Sequence, residues 1–204
     1  MAQTEQKNQN VKKQFEELQS LLERAMALQT SMVLFEWDDE TLAPKGAAEH
    51  TARVIGSLSE QYQEILASMR FKELLDVCQK AEKENAGVFD EVQSAILREA
   101  AEEQERLSCI PPEEYRAYAE LTARATGIWT RAREKNDFAS FAPVLKEIIS
   151  YQKKFAAYRA KPGQKLYDVM LDTYEKGFNM EMLDPFFELM KGRIVPLLKE
   201  SAER

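Results

Sequence analysis

The histidine content decides first which metal chemistry the sequence could support. Histidine occurs once in 204 residues, at His50. A hydrolytic zinc site on a helix usually presents His-Glu-x-x-His, because two imidazoles one turn apart converge on the ion while the glutamate handles the proton of the water. The Glu-x-x-His pattern of a di-iron bundle is also missing, since Ala47 precedes His50 by three positions. We therefore predict no catalytic, cofactor-binding or metal-binding residue in this chain, and we interpret His50 as a surface or helix-packing side chain.

The most unusual local feature is a run of carboxylates, called here the acidic cluster: Glu36, Asp38, Asp39 and Glu40. Negative charge at the C-terminal end of a predicted helix opposes the helix dipole and needs compensation. One interpretation is a contact with a cation or a substrate amine. The other, which we favour, is a set of caps and salt bridges to Lys45 or Arg53. An EF-hand calcium loop is excluded, because its alternating oxygen ligands and the glycine that follows them are missing.

Composition and charge exclude several classes of partner. The formal net charge is -7, so the chain lacks the clustered lysine and arginine that nucleic-acid binding requires. The first ten residues are polar and no segment has the apolar length of a membrane span, so we expect neither a signal peptide nor a membrane partner. Cys78 and Cys109 lack metal-ligand spacing and are expected to be reduced thiols. Together these features favour a cytoplasmic protein.

The elements that position these residues are predicted to be long helices. Glycine and proline number only seven each, and apolar residues recur at close to 3.6-residue spacing. The predicted helices are Val11 to about Trp37, Val54 to Leu66, about Phe71 to Asn85, Phe89 to the stop at Ile110, Pro112 to Arg133, Ser140 (as N-cap) through Tyr158, Leu166 to Tyr174, and about Met180 onward with Asn179 as cap. Trp129, at helical spacing with Tyr115 and Tyr118, is interpreted as a core residue. We predict an all-α fold of about seven or eight helices in an antiparallel-leaning array, forming a single domain over residues 1–204.

Three ordered segments resemble motifs of one known family. The first is residues 35–46, FEWDDETLAPKG. The second includes Ile128-Trp129, Arg131, Ala132, Arg133, Asn136-Asp137-Phe138, Phe141, Pro143 and Leu145. The third includes Tyr167-Asp168, Leu171-Asp172, Tyr174-Glu175, Gly177, Leu183, Phe186 and Phe187. In this order and spacing they resemble the carboxypeptidase Taq family of zinc metallocarboxypeptidases, the thermostable carboxypeptidases, from about residue 10 onward.

The resemblance implies properties that the residues alone do not. It implies a larger, grooved helical peptidase fold, a cytoplasmic homodimer, and removal of single residues from peptide C-termini by a zinc-polarised water that a glutamate deprotonates. It also implies that the zinc-binding helix belongs to a part of the family that follows this chain. The chain then resembles the N-terminal, groove-capping part, without the catalytic part, and zinc or another divalent metal is implied only for the full-length enzyme.

Two functions remain open at this point. The chain is either the N-terminal portion of a metallocarboxypeptidase, inactive by itself, or a stand-alone helical binding or dimerisation module derived from such an enzyme. In either case the last predicted helix has apolar residues over more than one narrow stripe and needs cover. We expect that cover from the missing catalytic half or from self-association, which would make the isolated chain a homo-oligomer, and we expect peptide substrates only in a full-length enzyme.

Overall fold

The computed structural model describes residues 2–44, 46–85 and 87–202. These residues form eight α-helices and no strand. In chain order the helices are α1 (Ala2–Thr41), α2 (Ala48–Leu66), α3 (Met69–Glu84), α4 (Glu91–Ser108), α5 (Pro112–Glu134), α6 (Phe138–Arg159), α7 (Leu166–Tyr174) and α8 (Met180–Ala202). The predicted all-α class with seven or eight helices is therefore confirmed. Among the described helices, none combines the length and apolar character that crossing a bilayer requires.

The helix ends agree with the predictions to within two residues except at three places. α2 begins at Ala48, six residues before the predicted Val54, because the residues of its first turns give no periodic apolar signal. α1 begins at Ala2 instead of near Val11. Its first turns are polar and rich in glutamine, glutamate and lysine, which continue a helix once one has formed. At its other end, α1 extends past Trp37 to Thr41. α6 begins at Phe138, and the predicted N-cap Ser140 is wrong. The amide of Ser140 donates instead to Oδ1 of Asp137, at 3.3 Å, so Asp137 occupies the capping position.

The chain divides into two compact units within α6, between Ile148 and Ile149. The core of the first unit forms where α1, α2, α3 and α4 pack together, and α5 packs against α2. Its largest fully buried apolar side chains are Phe15, Leu18, Leu66, Phe71, Leu74, Leu97 and Leu107. Burying one such side chain stabilises a fold by roughly 1.5–3 kcal/mol, so these contacts hold the first unit together. The single domain predicted for residues 1–204 stays a prediction.

The buried amide of Gln63 closes the C-terminal end of α4 in the first unit. Its Nε2 donates to the carbonyl oxygens of Leu107, at 3.1 Å, and Ile110, at 2.6 Å. The last carbonyls of a helix have no partner within the helix, and Pro111 and Pro112 cannot supply backbone donors to them. The carbonyl oxygen of Leu107 also accepts from the amide of Ile110 at 3.1 Å, so the side chain from α2 adds a second donor there and supplies the donor to the carbonyl of Ile110.

In the second unit, acidic side chains fix the turn between α7 and α8. Oδ1 of Asp168 accepts from the amide of Met180 at 2.8 Å, and Oδ1 of Asp172 accepts from the amide of Gly177 at 2.8 Å. Gly177 has φ 81°, a conformation that favours glycine. The predicted cap of α8 is confirmed, because Oδ1 of Asn179 accepts from the amide of Met182 at 3.0 Å.

Candidate functional site

A cavity of about 150 Å³, called here the acidic cavity, lies between the C-terminal end of α1, α2 and the middle of α5. It is lined by Glu36, Asp39, Glu40, Ala48, Thr51, Ala52, Ile55, Thr122, Ala123 and Thr126. Three members of the acidic cluster thus share one cavity, whereas Asp38 is not part of its lining. Threonine side chains from α2 and α5 line the same cavity, and the hydroxyl of Thr122 donates to backbone carbonyls of α5.

The electrostatics of the acidic cavity follow from partial burial of its carboxylates. The pKa of Glu36 is raised above its ordinary value, chiefly because the cavity walls remove part of the hydration of this exposed side chain, and secondly because Glu40 is also negative. The favoured salt bridge to Arg53 does not form, since Arg53 pairs with Glu49 at 3.5 Å. The other suggested partner, Lys45, lies outside the described residues. Across residues 2–44, 46–85 and 87–202, no ion pair includes a member of the acidic cluster.

Backbone groups close the helix that ends at the acidic cluster. The carbonyl oxygen of Asp38 accepts from the amides of Leu42, at 2.9 Å, and Ala43, at 2.8 Å. The hydroxyl of Thr41 donates to the carbonyl oxygen of Trp37 at 2.6 Å. These bonds satisfy carbonyls that the last turn of α1 would otherwise leave without partners.

The donor set of this chain does not fit a catalytic metal. Within the described part of the chain, no group of three or more His, Cys, Asp and Glu side chains could hold a metal ion. His50 is exposed in the first turn of α2. A catalytic zinc site needs three protein ligands and an open position, and a single exposed imidazole does not supply them. The acidic cavity can attract positive charge, but it does not present the ligands for hydrolysis of a peptide by a bound metal.

The two thiols differ in their surroundings. Cys78 is buried and Cys109 is partly buried, and both are free. Burial raises the pKa of the Cys78 thiol to about 11. Because the thiolate is the nucleophile and the metal ligand, Cys78 is suited to neither role at neutral pH. It is a core residue, packed with the other apolar side chains of the first unit.

The wall of the acidic cavity between α2 and α5 is held by a row of ion pairs. Arg116 lies 2.8 Å from Glu60 of α2 and 3.0 Å from Glu120 on its own helix. Arg124 lies 3.7 Å from both Glu120 and Glu49. We did not anticipate this row from the sequence, although the spacing of Arg116, Glu120 and Arg124 along one helix face is a recognisable signal.

A close approach of α5 to α2 accompanies these ion pairs. A Cβ placed on Gly56 of α2 would lie 2.3 Å from Cγ, 2.8 Å from Oε1 and 3.0 Å from Cδ of Glu120. Glycine therefore leaves the space in which Glu120 reaches its arginine partners. Sequence reasoning did not identify this role of Gly56, because the contact joins residues far apart in the chain.

The tryptophans of the first two motifs are exposed. Trp37 is 55% exposed and Trp129 is 45% exposed, so the interpretation of Trp129 as a core residue is wrong. The buried stripe of α5 consists of Leu121, Ala125 and Ala132, and Trp129 lies at the edge of this stripe on a helical wheel. The guanidinium of Arg133 lies 5.2 Å from its ring centroid, in cation–π geometry. The two other aromatic residues of this prediction, on the same helix, are only partly buried.

The polar motif residues have structural roles in this chain. Asp137 of the second motif caps α6, and Asp168, Asp172 and Gly177 of the third motif form the turn before α8. Caps and left-handed turns restrict the residue types that a position tolerates. These motifs therefore specify helix boundaries and connections, which makes them markers of a particular helical fold and not of a catalytic centre within this chain.

Comparison with known proteins identifies this helical fold as that of a metallopeptidase family. The family model described as carboxypeptidase Taq (M32) metallopeptidase matches residues 17–204. The chain belongs to this family, and the resemblance recognised from the three motifs is confirmed.

Individual relatives are matched over nearly all of this chain but over a smaller share of their own length. Carboxypeptidase 1 of Bacillus subtilis is 34% identical over 180 residues, which are 88% of this chain and 35% of the relative. Thermostable carboxypeptidase 1 of Pyrococcus furiosus is 30% identical, with the same two shares. The chain thus spans 35% of the length of both curated relatives.

Solved structures show the same relation in three dimensions. The BsuCP crystal structure superposes with a TM-score of 0.86 at 33% identity, covering 92% of this chain and 37% of that chain. Metallocarboxypeptidase 1 of Trypanosoma cruzi superposes with a TM-score of 0.74 at 27% identity, covering 94% of this chain and 38% of that chain. The helical arrangement described above is therefore a recurrent portion of larger metallocarboxypeptidase structures.

Proposed function

We propose that this chain serves as the N-terminal helical portion of a metal-dependent carboxypeptidase that releases C-terminal residues from peptides. The observation on which the proposal depends is the family match through residues 17–204, to which the superposition with a TM-score of 0.86 adds the same helix arrangement. Zinc or another divalent metal and the peptide substrate then belong to the full-length enzyme. A cytoplasmic location is part of the same proposal and is supported by the two free thiols, which are typical of a reducing compartment. A homodimer is also part of the proposal and follows from the resemblance to the family.

The isolated chain is expected to be inactive. Its donor groups do not assemble a site with three metal ligands in the described residues, and activation of water by a metal requires such a site. The helices instead form a scaffold that has an acidic cavity and exposed tryptophans in its first unit. In the proposed enzyme this scaffold would wall the groove, and its contacts with substrate would be secondary.

A second candidate function is a stand-alone binding or dimerisation module derived from such an enzyme. The observation that favours it is α8, which contains no buried residue although it is rich in large apolar side chains. A module of this kind would use the exposed apolar surface for assembly in the absence of any catalytic part. Both candidates predict an inactive isolated chain, so activity of that chain alone does not separate them.

A chimera separates the two candidates. In this chimera the present chain replaces the matched 180-residue segment of Bacillus subtilis carboxypeptidase 1 and is joined to the remainder of that protein. We expect the chimera to release C-terminal residues from an N-blocked peptide and to lose this activity with a chelator. The full-length Bacillus protein is the positive control. A folded, metal-loaded chimera that releases nothing would refute the enzymatic proposal.

The isolated chain provides the complementary measurement. Purified and incubated with zinc, it should bind no stoichiometric metal by elemental analysis and should release no amino acid from the same peptide. His50→Ala is the matched control, because it removes the single imidazole and should leave both results unchanged. Metal-dependent release that co-elutes with the wild-type chain and disappears in His50→Ala would show that the ligand argument is wrong.

A further inference from the structure

The helix α8 exposes an apolar surface of unusual extent. The α8 surface is defined by Met182, Phe186, Phe187, Leu189, Met190, Ile194, Val195, Leu197 and Leu198, which are between 38% and 64% exposed. No described residue of α8 is buried. We infer that the α8 surface is the docking surface for the part of the carboxypeptidase fold that this chain does not span. This inference rests on the proposed function and names the partner that the scaffold requires.

The distribution of side chains around α8 shows that most of its large apolar residues lie on one side of the helix. All but Val195 of the α8 surface fall within about half of the helix circumference, at roughly 100° per residue. Asp184, Glu188 and Lys199 lie on the opposite half. Arg193 and Glu200 fall within the apolar half, and Lys191, which pairs with Glu188 at 2.7 Å, lies at its edge one turn from Phe187. Helices in proteins are stabilised mainly by packing of their apolar side. A stripe this wide fits contact with more than one element, such as a groove between helices, better than contact with a single helix.

The area of the α8 surface is that of one side of a stable interface. Aromatic side chains bury roughly 150–250 Å² each and aliphatic ones less, so two phenylalanines and seven smaller apolar side chains at about half exposure present on the order of 700–800 Å². The largest apolar patch on a typical monomer is about 300–600 Å², whereas one partner in a stable complex contributes about 800 Å². The α8 surface therefore exceeds what a solitary protein usually shows and matches what a specific partner covers.

The relatives identify the partner. Matches cover 88% to 94% of this chain but only 35% to 38% of each relative. The relatives thus contain a large additional body of polypeptide, and the family match includes α8 throughout its described length. A second copy of this chain is a poorer occupant of the α8 surface, because it would leave the additional polypeptide of the relatives without this apolar cover; the homodimer of the proposed enzyme would then use another surface. The additional polypeptide of the family is the occupant that the observations favour.

The test compares one substitution in two settings. Phe187→Asp is introduced into the isolated chain and into the chimera with the remainder of Bacillus subtilis carboxypeptidase 1. In the isolated chain, Phe187 is 51% exposed, so the urea midpoint should change little. In the chimera, the same aspartate would be enclosed without a partner, and we expect the folding equilibrium constant to fall at least about tenfold. Lys199→Asp places aspartate at an exposed position on the charged side of the same helix and should have a small effect in both settings.

Each outcome decides the inference. A loss confined to Phe187→Asp in the chimera supports it. Equal sensitivity to Phe187→Asp and Lys199→Asp, or no sensitivity in the chimera, overturns it. A tight dimer of the isolated chain that Phe187→Asp dissociates, with no loss in the chimera, assigns the surface to a second copy and also overturns it. A chimera that aggregates although both parents fold counts against it. A chimera that shows the expected loss but releases no amino acid defeats the proposed function and leaves the docking surface standing.

Discussion

Replacing Gly56 by alanine tests whether the close approach of α5 to α2 determines the stability of the first unit. The new Cβ would lie 2.3 Å from Cγ of Glu120, closer than two carbons can approach. Glu120 would have to move, and its contacts with Arg116, at 3.0 Å, and Arg124, at 3.7 Å, would be lost or lengthened. In an ordinary exposed helix position the same change would be stabilising.

Opposing effects set the expected magnitude. Alanine is favoured over glycine inside a helix by about 1 kcal/mol. Overpacking at a close contact costs about 1–3 kcal/mol, and each partly exposed ion pair contributes about 0.2–1 kcal/mol. The steric and ion-pair losses together exceed the gain in helix propensity. We therefore expect Gly56→Ala to lower the free energy of unfolding of the first unit by about 1–2 kcal/mol.

A double-mutant cycle with Glu120→Ala isolates the cause. The three atoms nearest to the added methyl carbon all belong to Glu120, so Gly56→Ala should become neutral or stabilising, by up to about 1 kcal/mol, once Glu120 is truncated. The assay is urea unfolding followed by far-UV circular dichroism and by tryptophan fluorescence, since Trp37 and Trp129 both lie in the first unit. If Gly56→Ala destabilises the wild type and Glu120→Ala backgrounds equally, the steric argument is refuted.

Two further predictions concern polar groups of the same unit. Gln63→Leu should lower the free energy of unfolding by about 1–3 kcal/mol, because the buried carbonyl of Ile110 loses its donor and that of Leu107 keeps only the amide of Ile110; an unchanged urea midpoint would show that the bonds of Gln63 add nothing to stability. Glu36→Gln should raise the urea midpoint modestly at neutral pH. The pKa of Glu36 is raised, so its contribution to stability is present below the unfolded-state pKa and is lost as pH rises through the folded-state pKa. The gain from Glu36→Gln should therefore disappear at acidic pH, and a gain that is constant between pH 3 and 8 would contradict this cause.

The helices were predictable because their signals are local. Apolar spacing and breaks at proline and glycine placed α7 at its observed bounds and brought the predicted end of α5 to within one residue of the observed end at Glu134. The cap at Asn179 was also recognisable, since an N-cap needs only neighbouring backbone amides. The extension of α1 to Ala2 was missed, because polar helix formers give no periodic apolar signal even where they continue a helix.

The candidate site was only partly predictable. The sequence showed the acidic cluster, but packing of α1, α2 and α5 decided that Glu36, Asp39 and Glu40 share a cavity while Asp38 does not. The favoured partner Arg53 was wrong because Glu49, one turn away on α2, is nearer to it. An ion pair between neighbours on the same helix forms without any tertiary contact. Glu49 therefore competes with the acidic cluster for Arg53, and the sequence-based prediction did not take this into account.

The sequence by itself determined the helical class, most helix ends, the family and the single histidine, because periodicity, ordered motifs and residue counts do not depend on how helices meet. Tertiary structure decided the rest. It placed Glu120 against Gly56, left Trp129 exposed at the edge of its helix stripe, and left α8 without a buried residue. These outcomes depend on contacts between residues distant in the chain, whose geometry is fixed only when whole helices pack against each other.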